Sequence, residues 1–412
     1  MSDRPFEADH ISLPPAMQRL REVALKAVGG IEPAGALKSQ AEANGLFLAS
    51  RTDGGRDLPP YYLVYFLLVD LVGFRNFGKS EKVAWTVPIR YRGRLYAIEH
   101  RKMGLGVFAP NLAPDARTSA APSEEAEGDA RDIAELIRKG VVAAEPYFEW
   151  RAEQAVAGIE LNVVNNSDWL YERYEFFRHR FEALTAEAQL RKDERDADTR
   201  VLLGGSAMTT WSLPSYTLRR EADWNAQAAV DAFFSWTEHA FIQLAILQGR
   251  VGSGEDVARI AEADWKTKFK AALEVRDPET KKHYDVLLAL RAQIRNFMAH
   301  GAFGKRGEAF EFHSGAGAVP VLLTGREKRR YSLTGEPAFD EGRAIAAIEA
   351  FIKHLWSGSR APAREYLFSG LPSILTYVAD GTYASAMHSL ESMKEFVDYL
   401  SHQFDNASNM DW

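Results

Sequence analysis

One stretch constrains this chain more than any other: Pro278 to Gly301, which ends Leu288-Ala-Leu-Arg-Ala-Gln-Ile-Arg-Asn-Phe-Met-Ala-His-Gly301. Its apolar residues, Tyr284, Leu287, Leu288, Leu290, Ile294, Phe297 and Met298, recur at helical spacing and make one broad stripe. A proline suits the first turn of such a helix and a glycine its C-terminal stop. The spacing therefore predicts a core helix over Pro278–His300 with its polar residues gathered at the C-terminal end. Arg291 and Arg295 are one turn apart at the edge of the stripe, so each has an apolar stem to bury and a charged head free to leave the core.

Arg295 is followed at once by Asn296, and His300 comes five residues after Arg295. Arg and His separated by four to six residues occur five other times, at Arg4–His10, Arg94–His100, Arg173–His179, Arg276–His283 and Arg306–His313. Only Arg295–His300 combines a polar residue directly after the Arg, an apolar helix before it and a glycine after the His. This pattern resembles the HEPN superfamily (higher eukaryote and prokaryote nucleotide-binding domains), over roughly Arg220–Gly358. The resemblance implies a helical bundle and a metal-independent endoribonuclease with Arg295 and His300 as the catalytic pair. Asn296 would orient the His or a phosphate. It also implies that two such domains pair, so a homodimer is expected. Large proteins of this kind act as bacterial toxins or antiviral-defence effectors, with a regulatory partner or phage-derived trigger.

The chemistry stands on its own terms. RNA carries its own nucleophile, the 2′-OH, so a protein need only move two protons and stabilise charge on the phosphate. A His near its neutral pKa moves protons and an Arg fork holds phosphate oxygens. No metal or other cofactor is expected. Lys305 and Arg306, in the glycine-broken loop after the helix, and Arg291 before the motif are candidate RNA contacts. On an ideal helix positions 295 and 300 are about 140° apart. They reach one cleft only at a frayed last turn or across a dimer axis.

The rest of the chain is expected to be mainly α. A C-terminal HEPN-like helical bundle with a small β insert would follow an α+β N-terminal region with a short antiparallel sheet. The boundaries read as an N-terminal α+β domain (1–111), a linker (112–129), a helical connecting region (130–219), the HEPN-like domain (220–358) and a helical extension (359–412). Pro59-Pro60 opens an apolar helix, Tyr61–Phe74, expected to be buried nearly all round. Val83–Tyr91, Arg94–Lys102 and Gly104–Phe108 read as a hairpin plus a third strand. Ser167 reads as the N-cap of a long aromatic-rich helix, Asp168–Arg191. Val201–Arg219 reads as an irregular connection, because Gly204-Gly205 and Pro214 break helices. Within the bundle, helices are expected at Asp223–Leu247, Glu255–Leu273 and Glu341–Ser357. Short strands are expected at Ala309–Phe312, Val319–Leu323 and Arg330–Leu333. Glu238 and His239 read as polar residues of an amphipathic helix, and the C-terminal Trp412 is expected to dock.

Net charge is −7, with 50 Lys and Arg against 57 Asp and Glu, which argues against coating nucleic acid by bulk charge. The absence of cysteine excludes disulfides and thiolate metal sites. The N-terminus has no signal-peptide pattern and the longest apolar run is far below the ~20 residues of a membrane span, so a cytoplasmic protein with no membrane partner is expected. Arg90, Arg92, Arg94, Arg101 and Lys102 form the most basic patch of the N-terminal half. Two other readings stay open: a non-catalytic module that binds nucleotide or RNA or serves dimerisation, and a metal-dependent nuclease at Glu99 and Lys102. The second is disfavoured by geometry, since residues three apart on a strand point to opposite faces.

Overall fold

The computed structural model describes residues 13–80, 82–113, 117–158, 161–201, 207–300, 310–326, 329–333 and 340–409. The chain forms two compact units, Met1–Ala155 with Asp405–Trp412, and Val156–Phe404. It is mainly helical, with a small five-stranded antiparallel sheet. Among the described residues no helix is long and apolar enough to cross a membrane.

In chain order the first unit comprises α1 (Pro15–Ala27), β1 (Ile31–Pro33), α2 (Gln40–Phe47), β2 (Ser50–Arg51) and α3 (Tyr61–Tyr65), which runs into a π-helical turn, Phe66–Leu71. It continues with β3 (Val83–Tyr91), β4 (Arg94–Arg101), β5 (Gly104–Ala109), α4 (Glu124–Ala143) and α5 (Glu145–Ala157). The expected three-strand meander is the centre of the sheet, whose order is β1-β3-β4-β5-β2. The two edge strands are only three and two residues long and carry no alternation to read. Alternation on β3, β4 and β5 sends Val87, Ile89, Tyr96, Ile98 and Val107 into one core with Leu67, Leu68, Ile133 and Ile137. The opposite face buries a smaller set, Leu46, Leu95, Ala97 and Phe108.

Three expectations change here. The segment read as a linker ends in helix: Ser123 accepts a hydrogen bond from the Ala126 N–H and starts α4 at Glu124, whose acidic first turn suits the helix dipole. The Tyr61–Phe74 helix is α-helical for only five residues before its register widens, with Val72 N–H donating to Leu67 O at 3.0 Å. It is not buried all round, because Tyr61 and Tyr62 stand half exposed at its start.

The second unit comprises β6 (Asn162–Val163), α6 (Ser167–Leu190), β7 (Asp196–Val201), β8 (Ala207–Ser212), α7 (Pro214–Leu247), α8 (Gly254–Glu262), α9 (Trp265–Ala272) and α10 (Pro278–His300). A three-stranded insert follows, β9 (Phe310–Ser314), β10 (Gly317–Arg326) and β11 (Arg329–Ser332), in the order β11-β10-β9. Then come α11 (Glu341–Leu355), α12 (Ala361–Phe368), β12 (Ser373–Ile374), α13 (Thr376–Ala379), α14 (Thr382–Ala386) and α15 (Leu390–Asn409), whose residues from Asp405 on belong to the first unit.

Pro214 begins α7 instead of interrupting a coil, because a helix's first N–H groups have no partner and proline has none to lose. The residues before it form the β7–β8 hairpin rather than an irregular connection. The expected helix over Glu255–Leu273 is two helices. The first ends at Glu262 and Asp264 caps the second, its carboxylate accepting from the Thr267 N–H at 2.9 Å. Ser167 is the first residue of α6 and does not cap it; the cap position is Asn166, and the Ser167 N–H is held by Asn165 Oδ1 at 3.1 Å. Asp340 caps α11 as expected, at 2.7 Å from the Arg343 N–H. The docking expected of Trp412 falls outside the described residues.

The second core is aromatic. Phe233, Phe241, Trp265, Phe269, Tyr284 and Phe351 pack edge to face around α7, and the Trp265 indole donates to Thr237 Oγ1 at 3.0 Å. α6 returns along α7 in antiparallel register, Tyr171 meeting Trp236 and Tyr174 meeting Phe233.

Gly140 tests the first core. A Cβ there would lie 2.5 Å from Val28 Cγ1 and 2.9 Å from Leu67 Cδ2. Helix propensity alone makes Gly→Ala favourable by about 1 kcal/mol. The close approach reverses that sign, so Gly140→Ala is expected to lower unfolding free energy by about 1–3 kcal/mol in urea titration.

Candidate functional site

α10 spans the residues its spacing predicts. Asp277 accepts from the Thr280 N–H at 2.8 Å and caps its start. Tyr284, Leu287, Leu290 and Ile294 are buried in the second core. The backbone stays helical through His300. The side chains of Arg295, Asn296 and His300 lie outside the described ones, and Lys305 and Arg306 lie outside the described residues altogether. On a helix regular to His300, positions 295 and 300 keep their separation of about 140°.

The described part of the site is the turn just before the motif. Arg291 donates to Glu238 Oε1 at 2.8 Å, and Lys268 Nζ donates to Glu238 Oε2 at 2.9 Å. One carboxylate thus ties α7, α9 and α10 together. Arg291 also lies over the Phe234 and Trp265 rings, at 5.6 and 5.7 Å from their centroids. Its side chain is 39% exposed, so the guanidinium reaches solvent while one edge is held. Lys268 is only 7% exposed and depends on Glu238 for its counter-charge. Glu238 received no role from sequence reasoning. The signal was present: an acid at i+4 from Phe234 and i−3 from Phe241 sits on the buried face of α7.

Three other histidines of this unit serve structure. His239 Nε2 accepts from the Asn166 N–H at 2.9 Å, and burial lowers its pKa. His283 and His354 stack at 4.8 Å between α10 and α11, with Thr280 Oγ1 at 2.8 Å from His354 Nε2. Burial lowers both pKa values; Arg360 lowers that of His354 further, while Glu279 opposes the shift at His283. Position 283 is about 18 Å along the helix axis from position 295, too far to share its chemistry.

The four arginines of the N-terminal sheet's basic patch are paired with acids, and Lys102 has no acidic partner among the described residues. Arg90 pairs with Glu42 through both carboxylate oxygens at 2.9 Å. Arg92 pairs with Asp129 and Asp132, and Arg94 with Asp129 and Glu125. Tyr96 also donates to Asp129 at 2.8 Å, and burial pushes its phenol up to about 12. Glu99, 4% exposed, accepts from Arg101 Nε at 2.6 Å, while Lys102 sits in the turn beyond β4. Among the described residues no three His, Asp or Glu side chains are grouped as a metal site requires.

No protein-family model matches the chain, and no curated protein or solved structure matches it.

Two outcomes follow from these ion pairs and histidines. Glu238→Ala strands Lys268, and is expected to cost roughly 1–3 kcal/mol by urea titration, below the full buried-pair value because Glu238 is a third exposed. Adding Lys268→Met removes the stranded charge and restores most of the loss. His239, His283 and His354 each have a folded pKa below the unfolded value near 6.5, so the unfolded state binds more protons in acid. Their contribution is complete above about pH 6.5 and is lost as pH falls through the lower folded values. The melting temperature should fall between pH 7 and 5, and His239→Gln, which keeps an acceptor but cannot titrate, should flatten that fall.

Proposed function

We propose that the chain is a metal-independent endoribonuclease of the HEPN type, acting as a toxin or antiviral-defence effector in response to a regulatory partner or trigger. The observation that carries this reading is where the motif falls. Arg295-Asn296-Phe297-Met298-Ala299-His300 directly follows Ile294, the last described core residue of α10, on a backbone still helical to its end. The chemistry this reading requires then falls at the end of a rigid helix rather than on a free loop.

In this mechanism the RNA 2′-OH attacks its own phosphorus, the P–O5′ bond breaks, and a 2′,3′-cyclic phosphate and a 5′-OH result. His300 handles a proton at an attacking or leaving oxygen, Arg295 holds the non-bridging oxygens, and Asn296 orients the His or the phosphate. Because positions 295 and 300 are about 140° apart on a regular helix, one copy supplying the Arg and its dimer partner the His suits the geometry better than a single chain. Lys305 and Arg306 contact the flanking strand. Arg291, with one edge held by Glu238, joins them through the donors it leaves in solvent.

The test is RNA cleavage by the purified chain in excess EDTA, beside Arg295→Ala and His300→Ala. Cleavage that survives the chelator and falls by about 10²- to 10⁴-fold in each variant is expected. RNA binding by His300→Ala should persist. Undiminished cleavage in both variants would remove the site assignment. RNA binding without cleavage by any of the three would favour a non-catalytic binding module.

A further inference from the structure

The arginines that make the sheet look basic in sequence are spoken for, and Lys79 and Lys102 stand toward the end of the same strands away from the Arg90–Arg94 hairpin. Residues 75–103 hold eight Lys and Arg against two Glu, in a chain of net charge −7. Four of the eight are Arg90, Arg92, Arg94 and Arg101, each paired with an acid. Arg75, Lys79 and Lys102 are exposed and have no acidic partner among the described residues. Glu81, the acid nearest them in sequence, lies outside those residues.

Backbone hydrogen bonds bring these cations to one end of the sheet. Phe77 N–H donates to Thr86 O at 2.9 Å, laying the 75–80 segment along the start of β3, and Lys102 N–H donates to Lys82 O at 3.3 Å. Aromatic rings share that end. Tyr61 stacks on His100 at 4.2 Å with planes 7° apart, and Tyr62 meets Tyr61 edge-on at 5.5 Å. His100 in turn lies 6.0 Å from Trp85, its cross-strand partner. Tyr61 and Tyr62 are each 49% exposed and Phe77 43%, with the Arg75 guanidinium 5.6 Å from the Phe77 ring.

We propose that this end of the sheet binds single-stranded RNA, bases stacking on Tyr62 and Phe77 and phosphates held by Arg75, Lys79 and Lys102. Unpaired cations beside half-exposed rings match a strand with both anionic backbone and free base faces. A duplex buries its base faces, and a second copy of the patch would repel the first. The choice of RNA rests on the ribonuclease reading, but binding here does not require α10 to be catalytic.

The experiment uses the full chain and a fluorescein-labelled 2′-O-methyl oligouridine, which lacks the nucleophile and so stays intact whether or not the chain is a nuclease. Anisotropy titrations at several salt concentrations read affinity and its salt dependence. Lys79→Glu/Lys102→Glu should bind at least about tenfold more weakly at low salt, with the log–log salt slope reduced by about 1.4. Tyr62→Ala should lose about tenfold with the slope unchanged, and Tyr62→Phe should restore it. All are surface substitutions, and an unchanged melting temperature checks that each folds. Absence of binding by the unaltered chain, equal affinity in the charge-reversed and Tyr62→Ala variants, or equal affinity for a duplex of the same length would each overturn the proposal. Loss of RNA cleavage with binding intact would count against the ribonuclease and not against this surface.

Discussion

α7 buries seventeen of its thirty-four residues, and no single neighbour can cover that much of one helix. Its apolar residues fill more than one stripe, so α6 lies along one side while α9, α10 and α11 close others. The aromatic side chains decide how closely they come. Phe233 and Phe241 each meet Phe351, and Phe241 also meets Trp265 and Phe269. Rings of this size pack edge to face or leave voids, so the arrangement fixes helix positions more tightly than an aliphatic core of equal area.

The turn of α10 around Arg291 adds an electrostatic lock to that packing. Glu238 projects from the buried side of α7, where a lone carboxylate would be costly, and is satisfied by Lys268 and Arg291 together. The same bonds set the rotation of α10 one turn before Arg295. Arg291 gives Glu238 one edge of its guanidinium and leaves the rest at solvent, so the nearby carboxylate offsets part of its charge without taking all of its donors.

Charge in the N-terminal sheet shows the same logic. A linear count marks Arg90, Arg92, Arg94, Arg101 and Lys102 as one basic surface, but alternation divides them between two faces and a turn. Asp129 reaches Arg92 and Arg94 from α4, far away in sequence, and Glu42 reaches Arg90 from α2. What remains free is set by tertiary contacts, and it lies beside Tyr61 and Phe77 rather than where the arginines are densest.

Local patterns determined the elements whose cause is local. The 3.6-residue stripe placed α10 at Pro278–His300, two-residue alternation placed β3, β4 and β5, and Asp340 marked the start of α11. Proline and serine were legible as helix boundaries but ambiguous in sense. Pro214 starts a helix because nothing upstream needs its missing N–H, and Ser167 falls just inside α6, its N–H held by Asn165 two residues earlier. The Arg295–His300 pattern is a reading of residue types and spacing, and its side chains lie outside the described ones. Tertiary structure alone decided which charges cancel. It made Glu238 the link between three helices, turned His239 into a hydrogen-bond acceptor, and neutralised Arg90, Arg92 and Arg94, whereas Arg101 pairs locally with Glu99 on its own strand. The physical reason is that hydrophobic periodicity follows from the geometry of one helix or strand, whereas an ion pair depends on which distant element folding brings within hydrogen-bond reach.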